Sequence, residues 1–240
     1  MTNATSKDIK IPAADGGAFK AYIAYPDTTQ DAPAIILIQE IFGINADMRK
    51  KCDDLAAQGY IAICPDLFWR LKPGIEITDQ TPEEMEQAFA LYNKFNEELG
   101  LTDLQTTLGY IRNDKHCTEK VGALGYCLGG KLAYMMACHT DIDASIGYYG
   151  VAIETILGQA TGIEAPLMLH IAQNDEFVSP AAQDSINKAL GDNPHVTLHT
   201  YDGVDHAFAR NEGTHYNETH AQKANERTAQ FFQSHLSHTE

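Results

Sequence analysis

The chain has 240 residues and a net charge of −16. So acidic a chain repels phosphate backbones and anionic headgroups, which argues against nucleic-acid and membrane partners. Its five cysteines include no C-x-x-C pair, which argues against structural zinc and thioredoxin-type chemistry. The length and the 44% hydrophobic share fit a single larger domain, 1–240, and no linker, repeat or low-complexity tract divides it. Residues 1–10 are polar and lack the apolar core of a signal peptide. No apolar run approaches the ~20 residues of a membrane span. Free thiols in a reducing cytoplasm are the expectation.

Residues 19–25 alternate in polarity and predict an early strand ended by Pro26. Residues 34–39 (AIILIQ) are a continuous apolar run, the pattern of a strand covered on both faces, and end at Glu40-Ile41-Phe42-Gly43. A helix is predicted over 47–58, stopped by Gly59, and a buried strand over 61–64, closed by Pro65-Asp66. Residues 67–79 look irregular. Thr81-Pro82-Glu83-Glu84 is an N-cap with proline at the first helical position and acids in the first turn. That helix is expected to reach Leu99 and Gly100, and another to run from Thr102-Asp103 to Asn113. Strands follow over 121–124, 144–149, 167–172 and 196–201. Helices follow over 131–137, 180–190 and 221–236. Strands alternating with helices predict an α/β fold with a mostly parallel central sheet and helices on both faces. Ligands of such sheets bind beyond the carboxyl ends of the strands.

Gly125-Tyr126-Cys127-Leu128-Gly129-Gly130 puts a single cysteine between a buried strand and a helix. This is the nucleophile-elbow pattern with Cys at its centre, where flanking glycines allow a tight turn. A helix N-terminus behind Cys127 favours its thiolate. The other cysteines, Cys52, Cys64, Cys117 and Cys138, lack that context and read as small buried hydrophobes. The same glycines open a G-x-x-x-x-G-K phosphate-loop match over 125–131. The next residue is Leu132, so the Ser or Thr that would hold Mg²⁺ is missing.

Asp175 and His206 each follow a predicted strand, which gives the order nucleophile, acid, histidine of α/β-hydrolases. A neutral thiol is a poor nucleophile. A histidine beside it takes the proton and returns it to the leaving alkoxide, and a carboxylate fixes the histidine tautomer. The tetrahedral intermediate needs two donors, expected at the backbone N–H groups of Leu128 and Ile41. Glu40, at the end of a buried strand, would oppose a nearby thiolate unless it takes the thiol proton itself. The other reading of Glu40 is a loop acid paired with Arg210.

In these motifs the sequence resembles the dienelactone hydrolase family. The resemblance rests on Gln39-Glu40-Ile41-Phe42-Gly43, Cys64-Pro65-Asp66-Leu67, the elbow, and Gly147-Tyr148-Tyr149-Gly150. It continues through Asp175-Glu176-Phe177-Val178, His206-Ala207-Phe208-Ala209-Arg210 and Asn225-Glu226-Arg227-Thr228. It implies an α/β-hydrolase fold and hydrolysis of dienelactone to maleylacetate, as in chloroaromatic degradation. It implies a triad at Cys127, His206 and Asp175, a Glu40 that switches thiol to thiolate when substrate binds, and oxyanion donors at Ile41 and Leu128. It implies no cofactor, no metal and a monomer. Phe42, Phe89, Tyr92 and Tyr149 are the expected pocket residues, beside Arg210 as one of two arginines that hold a substrate carboxylate. The second arginine should precede Glu86-Gln87-Ala88-Phe89, where this chain has Met85. Arg70 and Lys72 lie in the irregular segment nearby as substitutes. The remaining alternatives are an esterase without dienelactone preference and a non-catalytic binding protein on the same fold.

Overall fold

The structure is a computed structural model that describes residues 5–211 and 213–237. Residues 1–4 of the polar start lie outside the described residues. The chain forms two compact units, Met1–Gly122 and Ala123–Glu240.

In the first unit the strands are β1 (Thr5–Pro12), β2 (Ala18–Tyr25), β3 (Ala32–Ile38) and β4 (Ile61–Pro65), in the order β1-β2-β4-β3. β1 and β2 form an antiparallel ribbon with Thr5 opposite Tyr25, and β2 pairs antiparallel with β4. β3 and β4 are parallel, with Ala34 opposite Ile61. Every residue of β4 is buried, as expected of a strand covered on both faces. Helix α1 (Ala46–Ala57) starts at Asn45, whose side chain accepts the Met48 N–H, and buries Met48, Cys52, Leu55 and Ala56. That spacing is one helical stripe. Each large aliphatic side chain buried this way contributes about 1.5–3 kcal/mol.

Two sequence expectations change here. β1 has little apolar alternation and no early signal, yet it pairs along its whole length with β2. The helix predicted to run from 82 to about 99 is two helices, α2 (Pro82–Tyr92) and α3 (Glu97–Arg112). Asn96 makes the break: its side chain caps the Leu99 N–H and starts α3 early. Gly100, expected to end the helix, lies inside α3 because the Phe95 ring packs where its Cβ would be.

β5 (Cys117–Tyr126) carries the chain into the second unit and is longer than the predicted 121–124. There α4 (Leu128–His139), β6 (Ala144–Tyr148), β7 (Leu167–Ala172), α5 (Pro180–Leu190), β8 (Val196–Tyr201) and α6 (Glu218–Leu236) follow. β6, β7 and β8 are successive parallel neighbours, with Ser145 opposite Leu167 and Leu167 opposite Val196. α4 begins at once after Cys127 rather than at 131, because the elbow is a single residue. β6 stops at Tyr148, since Tyr149 takes φ +37° and leaves the strand. Residues Ile153–Gly162 form a 3₁₀ segment kinked at Ile156, which no periodicity announced.

Candidate active site

Within the second unit, Cys127 is the single residue between β5 and α4. Its φ of +55° with ψ of −117° is a conformation that L-residues avoid. Neighbouring glycines make the turn possible. A Cβ on Gly125 would strike the Gly129 carbonyl, and one on Gly130 would lie 2.7 Å from the Tyr148 oxygen. Hydrogen bonds hold the strained residue: its N–H donates to the Tyr148 carbonyl at 3.0 Å, and its own carbonyl accepts from Gly130 at 2.9 Å. Leu128 is the first residue of α4, so its N–H is among those for which a helix itself offers no acceptor. Lys131, which the phosphate-loop match would aim at a nucleotide, is buried in the first turn of α4.

Asp175 lies three residues beyond β7, and its loop is fastened from α5. There the buried Gln183 amide donates to the carbonyls of Ala172 at 3.1 Å and Val178 at 2.8 Å, on either side of Asp175. One Asp175 oxygen also accepts the Phe177 N–H at 2.9 Å. His206 follows β8. Its Nδ1 sits 2.9 Å from Asp175 Oδ2 and 3.1 Å from Oδ1, and both side chains are nearly inaccessible. Asp205 joins the two loops, since its carboxylate accepts the N–H of His206 at 2.6 Å and of Glu176 at 3.0 Å. The His206 ring lies between Tyr149 at 5.0 Å and Phe177 at 4.9 Å, both edge-on.

The electrostatics of His206 follow from this enclosure. Burial opposes the imidazolium. The Cys127 charge, hydrogen bonds with Asp175 and Cys127, and the Asp175 charge outweigh it and push His206 up to about 10. An imidazole held by a carboxylate beside a thiol can exchange a proton with that thiol.

Arg210 comes four residues after His206, with its N–H bonded to the Ala207 carbonyl at 2.9 Å. Among the described residues, Glu176, Asp205 and His215 are the metal-capable side chains that come together. Glu176 and His215 are exposed, and Asp205 is already engaged by two backbone N–H groups. Phe177, Gln183 and Asp205 were not anticipated as parts of the site.

In the first unit, Glu40, Ile41 and Phe42 lie just past β3 and are buried. Gln39 braces this turn, accepting the Leu67 N–H at 3.0 Å and donating to the Glu40 carbonyl at 3.2 Å. Gly43, at φ +75°, passes so close to the Ile75 carbonyl that no side chain fits. Met85, Phe89 and Tyr92 recur at i, i+4 and i+7 on one face of α2, half-buried except for Phe89, which is exposed. Arg70 is engaged elsewhere: it pairs with Asp103 at 2.8 Å and Asp15 at 3.0 Å and lies over the Trp69 ring.

Residues 19–236 match the profile of the Dienelactone hydrolase family. A provisionally named carboxymethylenebutenolidase of Azospirillum brasilense is 47% identical, over 95% of this chain and 99% of its own. The carboxymethylenebutenolidase of Pseudomonas putida is 38% identical, over 94% and 95%. A provisionally named dienelactone hydrolase of Klebsiella pneumoniae, known as a crystal structure, superposes with a TM-score of 0.84 at 24% identity, over 95% of this chain and 98% of that one. At that identity the likeness speaks for the fold, the α/β-hydrolase arrangement of a mostly parallel sheet with helices around it. With the family profile spanning almost the whole length and relatives well above 30% identity, the chain belongs to the dienelactone hydrolase family and is a hydrolase of that type.

Proposed function

We propose that this protein cleaves small carboxylic esters or lactones, of the dienelactone-to-maleylacetate kind, through a covalent thioester on Cys127. One observation carries the proposal: Cys127 is held at positive φ on a strand-to-helix turn, and its side chain bonds a histidine that is bonded in turn to Asp175. The family profile across residues 19–236 supports treating both compact units as one hydrolase domain.

The chemistry then runs in two halves. The Cys127 sulfur attacks the carbonyl carbon, and the carbonyl electron pair moves to oxygen. The N–H groups of Leu128 and Ile41 stabilise that oxyanion. Collapse breaks the C–O bond, and the departing alkoxide takes a proton from His206 Nε2. Water next attacks the thioester, gives its proton to His206, and releases the acid with regeneration of the thiolate. Asp175 holds Nδ1 and stabilises the imidazolium. Glu40, buried just past β3, is proposed to take the thiol proton when substrate enters and to pass it to His206 Nε2, which then holds the proton that the alkoxide takes.

Arg210 is proposed to bind a substrate carboxylate, with Phe42, Phe89, Tyr92 and Tyr149 as pocket walls. Met85 offers no charge at the position of a second arginine, and Arg70 is tied to Asp103 and Asp15. This favours a second reading, an esterase with little preference for dienelactone over neutral esters. The five free cysteines, all buried, fit a reducing cytoplasm.

The test is hydrolysis of a panel of neutral and carboxylated esters and lactones, with Cys127→Ala beside the wild type. The expected result is turnover by the wild type, irreversible inactivation by iodoacetamide, and loss of at least about a thousandfold in Cys127→Ala. Wild-type rates in Cys127→Ala would refute the nucleophile.

A further inference from the structure

Behind the Cys127 elbow, the second unit buries a run of polar side chains that the proposed chemistry does not use. Tyr148 ends β6, His170 lies in β7, Tyr201 ends β8, and Thr228 sits on the inner face of α6; all four are buried. Arg227 Nη1 donates to the Tyr201 hydroxyl at 3.1 Å. That hydroxyl lies 2.8 Å from His170 Nδ1, and His170 Nε2 lies 3.2 Å from Thr228 Oγ1. Thr228 Oγ1 is 2.6 Å from the Tyr148 hydroxyl, which donates to Asn225 Oδ1 at 3.0 Å.

Proton counting fixes the direction of this chain. Tyr148 has one hydroxyl proton, and it goes to Asn225, so Thr228 must donate to Tyr148. Thr228 then has no proton left for His170, so His170 donates from Nε2 and its Nδ1 is bare. The bare Nδ1 accepts from Tyr201, whose oxygen accepts from Arg227. Every donor is used once. The reversed direction would leave the buried Tyr201 proton without an acceptor. The assignment makes His170 a neutral Nε2–H ring, and its surroundings agree: burial first, then the positive charges of His199 and Arg227, hold it well below the usual histidine range.

The same three strand residues also serve the catalytic loops with their backbone. The Tyr148 carbonyl accepts the Cys127 N–H at 3.0 Å, the His170 carbonyl accepts the Tyr149 N–H at 2.7 Å, and the Tyr201 carbonyl accepts the Gln173 N–H at 3.0 Å, two residues before Asp175. The Tyr201 ring packs at 4.9 Å on Phe208, two residues after His206. The Tyr148 ring packs at 4.2 Å on His170 and at 4.7 Å on Tyr126, the residue before Cys127.

We infer that the one-way chain Arg227–Tyr201–His170–Thr228–Tyr148–Asn225 is a positioning clamp, which locks the ends of β6, β7 and β8 against α6 and thereby sets the strained Cys127 and the loops of Asp175 and His206. Thr228 is its central positioning residue, since its hydroxyl serves two strands at once. The clamp rests on Cys127 being the nucleophile. Displacement of a reacting group by about 1 Å costs up to about a hundredfold in rate.

The experiment compares Thr228→Val, Thr228→Ser and wild type by ester kinetics and by the rate of Cys127 alkylation with iodoacetamide, which needs no substrate. Wild-type His170 is followed in parallel by nitrogen NMR. The expected results are a neutral His170 protonated at Nε2, and a roughly tenfold or greater fall in kcat for Thr228→Val with KM within about twofold. Its alkylation rate should change too, and Thr228→Ser should restore both rates. Wild-type kcat and alkylation in Thr228→Val, or an Nδ1–H or charged His170, overturn the clamp. If Thr228→Val does not fold, the NMR result and Tyr148→Phe decide in the same way. Should the wild type cleave no ester while alkylation still slows in Thr228→Val and recovers in Thr228→Ser, the hydrolase chemistry falls and the clamp stands.

Discussion

Cys127, Asp175 and His206 are each at most 6% exposed, and each is fixed by named hydrogen bonds to backbone or side chain. Met85 and Tyr92, on one face of α2, are only half-buried, and Phe89 beside them is 38% exposed. The first group sits where a single misplaced atom leaves strain or an unpaired buried polar group. The second sits where side chains exchange at little cost in stability. On the proposed assignment, chemistry belongs to the rigid part of the fold and selectivity to the replaceable part.

Breaking the rigid part should give the largest effect. Asp175→Asn removes the carboxylate at His206 Nδ1 and leaves an amide that can present either a donor or an acceptor there. The expected outcome is a loss of about a thousandfold or more in kcat/KM with the fold retained, checked by steady-state kinetics and circular dichroism. A loss below about tenfold would mean that Asp175 does not orient the histidine.

A smaller effect concerns pH. His206 is raised from its ordinary 6.5 to about 10 in the folded protein, so folding favours its protonated form. Its contribution to stability is fully present below about pH 6.5 and is lost as pH rises toward 10. Cys127 is the largest of the influences that raise it. The Tm of the wild type should fall as pH rises toward 10, as followed by thermal melts. A Tm that stays constant up to pH 10 would remove the raised His206 from the account.

The replaceable part should yield the smallest effect. Met85→Arg should shift kcat/KM toward anionic lactones over neutral esters by about tenfold, one charge-assisted contact, with stability changed by less than about 0.5 kcal/mol. An unchanged preference would separate α2 from substrate selection.

Much of the rigid part was legible in the sequence. The glycines around Cys127 announce the elbow because no other residue tolerates those backbone approaches. Asp175 and His206 stood out because each lies just beyond a predicted strand. What holds them did not. Gln183 and Asp205 act on loops distant in sequence, and a glutamine on a helix or an aspartate in a turn is ordinary in isolation. Thr228 was visible only as part of a motif, since its two partners come from β6 and β7. The break between α2 and α3 was missed because Asn96 competes with a helical pattern that continues past it. β1 was missed because its pairing with β2 is decided by backbone ladder bonds rather than by apolar alternation.

The central claim is covalent catalysis by Cys127. It is tested most directly by a single-turnover reaction, with enzyme in excess over a simple ester, quenched in acid over milliseconds and read by peptide mass spectrometry. The account predicts an acyl group that appears and then decays on the peptide containing Cys127. Ester consumed while that peptide stays unmodified at every time, or an acyl group on another residue, would contradict it.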